Sequence, residues 1–446
     1  MPERYDLEIV NGNIITSQGT FKGSIAIKDG KIKAISEEPI GYSDRIINAT
    51  GLYVLPGMID EHVHCMDPGE TEREDFPHCT KAAAVAGVTT IIEHTHSNPV
   101  RKVEDLIKKR EYLSKRSLVD FGLAAHVWPE YLEELKPLWN SGISFFKVFT
   151  LTTHGIPGLS NDELLNVFSR ISSFDGRILV HCEDSSIISG NERRLKITNN
   201  IADYMQMWRS KEAERVAVGS ACLIAYLTKA HITIAHVSHP EVIKIVDAFR
   251  NLGANINVET CPQYLFLNYE KLKELGKLGK FTPPARSHED NKGLIEMINK
   301  GKVDIIASDH APSTKEQKLK GDLKEIPFGI PGIQTTFYLM LTLVKKGLIT
   351  MERLVKLYSE NPARILGLYP RKGSISLGSD ADLVLVDLNK EWIVSDEKII
   401  SKAGWSPYSG EKVFGKVIYT LLRGKIIVEN EEVVAEPGIG RFVSRD

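Results

Sequence analysis

Eight short runs of aliphatic and aromatic residues recur through the middle of the chain. They are Val54–Ile59, Thr89–Glu93, Phe121–His126, Phe145–Thr150, Ile178–Glu183, Ile232–Val237, Ile256–Cys261 and Asp304–Asp309. Stretches with helical spacing of apolar positions separate most of them, such as Glu74–Ala86, Glu163–Ile171, Glu212–Leu227 and Pro240–Leu252. A strand that is apolar on both faces must be covered on both faces. The alternation therefore predicts a buried parallel sheet flanked by helices. Eight such units predict a closed, TIM-like (β/α)₈ barrel, with an open doubly wound sheet as the alternative.

The two chain ends are patterned differently. Tyr5–Ile9, Asn13–Thr16, Gly23–Lys28, Lys31–Ile35 and Arg45–Asn48 read as short strands, with Asp29-Gly30 as a hairpin turn. Ala381–Asp387, Val417–Arg423 and Lys425–Glu429 return to that style, and Arg423-Gly424-Lys425 marks another turn. Chain termini often lie close together, so both ends are predicted to join in one small β-sandwich. The α/β protein then divides into a barrel over 56–364 and a sandwich built from 1–55 and 365–446.

The length of 446 residues suits a large domain plus a small one. At 42% hydrophobic and 26% charged residues, the composition is globular, with no case for disorder. Lys and Arg number 56 against 58 Asp and Glu. That balance argues against nucleic acid or a membrane surface as the partner. The apolar runs fall short of the ~20 residues that span a bilayer, and the N-terminus lacks a signal-peptide core. The five cysteines are scattered without a CxxC pair. We therefore expect neither a disulfide framework nor a structural zinc site, and a reduced, cytoplasmic protein.

The ends of the apolar runs carry the chemistry. The first leads into His62-Val63-His64, the fourth holds Lys147, the fifth reaches His181, the sixth His236, and the eighth Asp309-His310. Residues two apart on a strand point the same way, so His62 and His64 can share one metal. In a parallel barrel these ends converge on the face that holds active sites. Singly, each residue has a plainer role. A lone strand-end histidine is more often structural, a strand lysine snorkels from an edge, and an aspartate caps a turn. Four histidines, a lysine and an aspartate at the same end of barrel strands are hard to obtain by chance.

These residues sit in segments similar to the cyclic-amide branch of the amidohydrolase superfamily, meaning hydantoinases, dihydropyrimidinases, allantoinases and dihydroorotases. The most specific are Pro56–Asp60 followed by His62-Val63-His64, Gly142–Phe149, Val180–Glu183, Ala235–Ser238, Glu259–Leu265, Ala307–Pro312 and Ser359–Arg364. The resemblance covers nearly the whole chain. It implies two divalent metals, zinc by preference, and a CO₂-derived carbamate on Lys147 bridging them. His62, His64 and Asp309 would hold the more buried ion, and His181 and His236 the other. Hydroxide held between the metals would attack the amide carbon, and Asp309 would move the proton. It also implies a homo-oligomer, a dimer or tetramer.

The ring that is opened is less evident. Glu259–Leu265 and Pro437–Phe442 are similar to hydantoinase and dihydropyrimidinase sequences, whereas Asp67–Glu72 and Ser308–Pro312 look more like allantoinase and dihydroorotase. Dihydroorotase must bind a ring carboxylate, and its pattern has Arg two residues after the second His. Met66 stands there instead, so no charge-assisted partner for a carboxylate is evident at that position. The expected substrate is therefore a neutral cyclic ureide or imide, with dihydroorotate the alternative. Where hydantoinases often place Tyr, this chain has Thr152. His96, Thr152 and Gln263 are candidate substrate contacts, and His94 and His154 also fall near strand ends. A non-catalytic scaffold of the same fold would betray itself by missing ligands, and none of the six positions is missing.

Overall fold

In the computed structural model, residues 4–195, 198 and 200–445 are described. The first run, Val54–Ile59, is divided between a strand of the end sheet, Tyr53–Pro56, and the first barrel strand, and the parallel barrel strands are β1 (Met58–Val63), β2 (Val88–Glu93), β3 (Asp120–Leu123, continued by Ala125–His126), β4 (Phe146–Phe149), β5 (Arg177–His181), β6 (His231–Ile234), β7 (Ile256–Thr260) and β8 (Ile305–Ile306). β1, β2 and β3 pair in parallel, and so do the continuation of β3 and β4 to β8. The ring closes where Val63 bridges His310 in parallel and the His64 N–H donates to the His310 carbonyl at 2.8 Å. The barrel is thus closed, and the open-sheet alternative falls.

The last strand is shorter than its pattern predicts. Ser308 N–H leaves the ladder to donate to Asp60 Oδ1 at 3.1 Å, and Asp309 turns left-handed at φ 47°. Asp60 also accepts the Tyr358 hydroxyl at 2.8 Å, so one buried carboxyl ties the first strand to the last.

The helices pack outside the strands by the expected rules. Asn161–Ser172 opens with a capping box between Ser160 and Glu163 and buries Leu164, Val167, Phe168 and Ile171 on one stripe. At the base of the barrel, Ile59, Ile92, Ala124, Phe145, Leu179 and Ala235 form one apolar cluster with Leu366, Leu368 and Val443. The C-terminal segment is held there by the bonds Phe121 N–H to Arg441 O and Val443 N–H to Phe121 O.

The two chain ends share a nine-stranded sheet. Leu383–Ile393 pairs antiparallel with Tyr53–Pro56, which runs parallel to Tyr5–Thr16. Ile25, Ile27 and Ile32 from one end pack with Leu383, Leu385 and Leu421 from the other, giving the small sandwich its core. Asp29 and Gly30 both adopt positive φ, at 52° and 74°, as a tight hairpin turn requires.

One expectation is corrected. Cys65 and Cys79 form a disulfide, while Cys182, Cys222 and Cys261 are free and buried. The pair lies 14 residues apart in sequence, but the chain turns back after β1 and brings their Cα atoms to 5.8 Å. No helix among the described residues is long and apolar enough to cross a membrane.

Sandwich and barrel are pinned by a buried ion cluster. Lys372 Nζ lies 2.6 Å from carboxylates of both Asp120 on β3 and Asp382, and 3.3 Å from Asp380. Burial works against its charge, but the three carboxylates more than compensate and raise its pKa. Removing the cation would leave buried carboxylates facing one another. We expect Lys372→Met to destabilise the fold by about 3–5 kcal/mol, read as a lower midpoint in urea unfolding. A midpoint equal to wild type would show that the cluster does not hold the two parts together.

Candidate active site

The strand ends bring His62, His64, Lys147, His181, His236 and Asp309 to one face, around a cavity of about 240 Å³ that all six line. Each of three histidines has one ring nitrogen aimed by a second residue. His62 Nδ1 is bonded to Glu259 at 2.8 Å, and His64 Nδ1 to the His94 carbonyl at 3.0 Å. His181 Nε2 is bonded to Glu183 at 2.8 Å. A ring nitrogen that donates outward leaves the other with a free lone pair facing in.

Those inward atoms converge. His62 Nε2 is 3.2 Å from both Lys147 Nζ and Asp309 Oδ1, and His64 Nε2 is 3.5 Å from the same Asp309 oxygen. His181 Nδ1 faces His236 Nε2 at 2.8 Å. Burial holds the His62 and His236 rings well below the usual histidine pKa, with the Lys147 charge and the neighbouring rings adding to it. Neutral imidazoles with lone pairs aimed at a common space, beside a carboxylate, fit divalent cations rather than one another.

The supporting carboxylates are placed with equal care. Burial alone would raise Glu183, but Arg209, His181 and Thr282 hold it at about 2. Arg209 donates to it at 3.2 Å and the Thr282 hydroxyl at 2.8 Å. Glu259 accepts the His236 N–H at 2.8 Å while orienting His62, so one side chain serves both halves of the cluster. Burial lowers the Lys147 amine to about 8, against the opposing pull of Glu259 and Asp309. The free amine is thereby accessible near neutral pH.

Backbone strain gathers at the same place. Met66, His154, His236 and Asp309 all have positive φ, between 39° and 56°. Such conformations cost of the order of 1–3 kcal/mol each and persist where the surroundings dictate them.

The cavity wall differs in part from expectation. His96 and His154 line it, as does Met66. His94 does not; it is buried beneath, at 1% exposure. Thr152 and Gln263 do not line it. Thr152 lies three residues beyond the end of β4 and its hydroxyl accepts the Gly158 N–H at 3.1 Å. Gln263 begins the short buried helix Gln263–Phe266 after β7.

Arg73 lines the wall too, and residues not foreseen add to it: Glu70, Ser97, Phe281, Thr282, Phe328 and Ile330. Phe328 and Ile330 come from a segment without regular structure, where apolar periodicity gives no signal. A second compact group, Glu74, Asp75 and His78, also has metal-type spacing. Its oxygens are already engaged, Asp75 as a helix cap and Glu74 with Ser401 and Lys402.

The Phe328 segment is held by two lysines. Lys318 Nζ donates to the carbonyls of Lys280, Pro327 and Gly329 at 2.7, 3.0 and 2.9 Å. Lys280 Nζ donates to those of Lys324 and Ile326 and lies 4.3 Å from the Phe328 ring centroid. Gly329, at φ 105°, sits so close to Ala311 that a Cβ would meet its carbonyl oxygen at 2.3 Å. Losing these buried hydrogen bonds, about 0.5–1.5 kcal/mol each, should free this wall. We expect Lys318→Met to speed amide hydrogen exchange across residues 320–330 by roughly tenfold or more, with the barrel strands unchanged. Equal protection in the variant would refute the anchoring role.

The family model described as "Amidohydrolase family" matches residues 53–427. The chain is similar to an L-hydantoinase of Paenarthrobacter aurescens, 32% identical and covering 99% of this chain and 98% of that one. It is also similar to a dihydroorotase of Methanosarcina mazei, 33% identical over 98% of this chain and 97% of the relative. Among solved structures, an L-hydantoinase (dihydropyrimidinase) from Arthrobacter aurescens superposes with a TM-score of 0.95 at 32% identity, covering 99% of this chain and 100% of that one.

Proposed function

The chain belongs to the amidohydrolase family, and on that premise we propose that it hydrolyses a ring C–N bond of a neutral cyclic ureide or imide. The substrate would be of the hydantoin, dihydropyrimidine or allantoin type. The observation that carries this reading is the convergence of four imidazole lone pairs, Lys147 and Asp309 beneath one small cavity.

The family is metal-dependent, and we assign His62, His64 and Asp309 to one divalent ion and His181 and His236 to a second. Zinc suits this donor set best. Lys147 would bridge the two as a carbamate: its free amine takes up CO₂ with loss of a proton, which converts a poor ligand into a two-oxygen anion. When bound, the ions supply carbonyl polarisation and an acidified water near neutral pH. The remaining work falls to the chain. Asp309 is partly open to the cavity, with 16% of its side chain exposed, and can take a proton from water and return it to the departing ring nitrogen. Glu259 and Glu183 keep the imidazoles aimed. Phe149, Phe281, Phe328 and Ile330 shield the ring from solvent and fix its carbonyl relative to Asp309.

The same reading keeps the division into 1–55, 56–364 and 365–446, a cytoplasmic location and a homo-oligomer. It ranks dihydroorotate second. One observation favours that alternative: Arg73 lines the cavity. Its guanidinium, however, is committed to Glu70 at 2.5 Å and to Ser313 and the Pro312 carbonyl at 3.1 and 3.2 Å. A ring carboxylate would compete with Glu70 for that guanidinium.

Hydantoin, dihydrouracil, allantoin and dihydroorotate, assayed side by side, test the substrate. We expect kcat/KM for at least one neutral ring to exceed that for dihydroorotate by tenfold, or about 1.4 kcal/mol in transition-state binding. A tenfold preference the other way would hand the assignment to dihydroorotate. Protein supplied with zinc and bicarbonate should carry close to two ions per chain, and Lys147→Ala should lose activity. Retention of both ions and normal turnover in that variant would rule out the carbamate.

A further inference from the structure

The cavity wall above the strand-end residues is not uniform. The segments after β7 and β8 supply Phe281, Phe328 and Ile330, which are apolar. The segments after β1 and β2 supply Glu70, Arg73, His96 and Ser97, which are polar. A ring seated against the apolar side, with its carbonyl near Asp309, would extend its substituent along the polar side.

The segment after β1 has a fixed shape. It turns through bonds from Glu70 N–H to the Met66 carbonyl and from Arg73 N–H to the Glu70 carbonyl, both 2.9 Å. Gly69, at φ 142°, lies so close to Ser97 that a Cβ there would clash with the serine side chain. Arg73 Nε is anchored on Ser313 Oγ and the Pro312 carbonyl, at 3.1 and 3.2 Å. The Cys65–Cys79 disulfide closes the segment at its two ends.

Within it, Glu70 and Arg73 use only part of what they offer. Arg73 Nη1 donates to Glu70 Oε2 at 2.5 Å. Among the described residues, Arg73 Nη2 and Glu70 Oε1 make no further hydrogen bond. An ion pair three residues apart, with the Glu70 side chain 43% exposed, adds little to stability by itself. What it presents is a donor and an acceptor held side by side on the cavity wall. A carbonyl next to an N–H is the complement, its oxygen to the guanidinium and its N–H to the carboxylate. A carboxylate substituent would meet Glu70 as a like charge. An alkyl substituent would take both groups out of water without replacing their bonds.

Resting on the proposed opening of a neutral ureide or imide ring, we propose that Glu70 and Arg73 recognise a ring substituent of the neutral ureido or carboxamide class. Among the proposed ring types, this selects the hydantoin that carries a ureido group, allantoin.

The test gives the metal-loaded enzyme three hydantoins whose substituents match in size and shape: ureido, isobutyl and carboxymethyl. Unsubstituted hydantoin and dihydrouracil complete the set. A site built to hydrogen-bond a substrate group rejects analogues that lack it, so wild type should favour the ureido ring in kcat/KM by at least about tenfold over the other two substituted rings. Glu70→Met should shrink the ureido-to-isobutyl ratio by roughly tenfold or more. Glu70→Gln should raise the carboxymethyl-to-ureido ratio, because Arg73 loses its counter-charge. Ratios taken within one protein cancel any general loss of activity. A wild-type preference for isobutyl, carboxymethyl or dihydrouracil, or an unmoved ratio in Glu70→Met, would overturn the recognition pair while ring hydrolysis itself stands. No turnover of any ring would bring down the proposed function and this inference with it. If the variants fold poorly, the wild-type order decides alone.

Discussion

Desolvation at the mouth of the closed barrel is the constraint on which the rest of the structure turns. Lys147 is 1% exposed and His62, His64, His181 and His236 no more than 4%, so none of these groups can turn to bulk water. In such a place an ionisable side chain must find a fixed partner or lose its charge. Burial lowers the pKa of His62, His181 and His236 and of the Lys147 amine, and the carboxyls of Glu259 and Glu61 are pushed upward by burial and by neighbouring carboxylates. A layer with this composition is costly unless cations occupy it. The surrounding design keeps that layer in register: apolar side chains fill the level below, and Glu183 and Glu259 fix the imidazoles from behind.

Closure is what makes the layer dry, and it depends on a few polar ties rather than on ladder pairing. The eighth strand contributes only Ile305–Ile306. Asp60 compensates by binding Ser308 and Tyr358 at once. A second hub lies at the start of β3, where Asp120 receives Lys372, Arg423 and the Arg441 N–H. Through it the sandwich and the C-terminal segment are held to the barrel wall. Both hubs use a buried carboxylate to join segments distant in sequence, which apolar packing alone would do with less directional control.

The parts of this molecule legible in its sequence are those with a period. Two-residue alternation and short apolar runs disclose the strands. Because the active face of a barrel is defined by strand ends, the same pattern suffices to bring His62, His64, Lys147, His181, His236 and Asp309 together. What lies beyond the strands is harder. Thr152 and Gln263 follow strand ends by only three residues, and neither is among the residues that line the cavity. Phe328 and Ile330 reach it from a stretch far along the chain with no periodic signature. Cys65 and Cys79 meet through a reversal of direction that residue spacing does not encode.

The clamp on the cavity wall has a consequence for how specificity can change. Lys318 and Lys280 grip main-chain carbonyls of residues 324–329, not their side chains. A frame held by its backbone is indifferent to the side chains it displays. The loop's path thus rests mainly on these main-chain bonds, with Gly329 barred from variation by its contact with Ala311 and Ile330 fixed by its burial in the core. The wall behaves as a cassette with one displayed position, Phe328, at which a lineage can adapt to ring substituents without rebuilding the chemistry beneath.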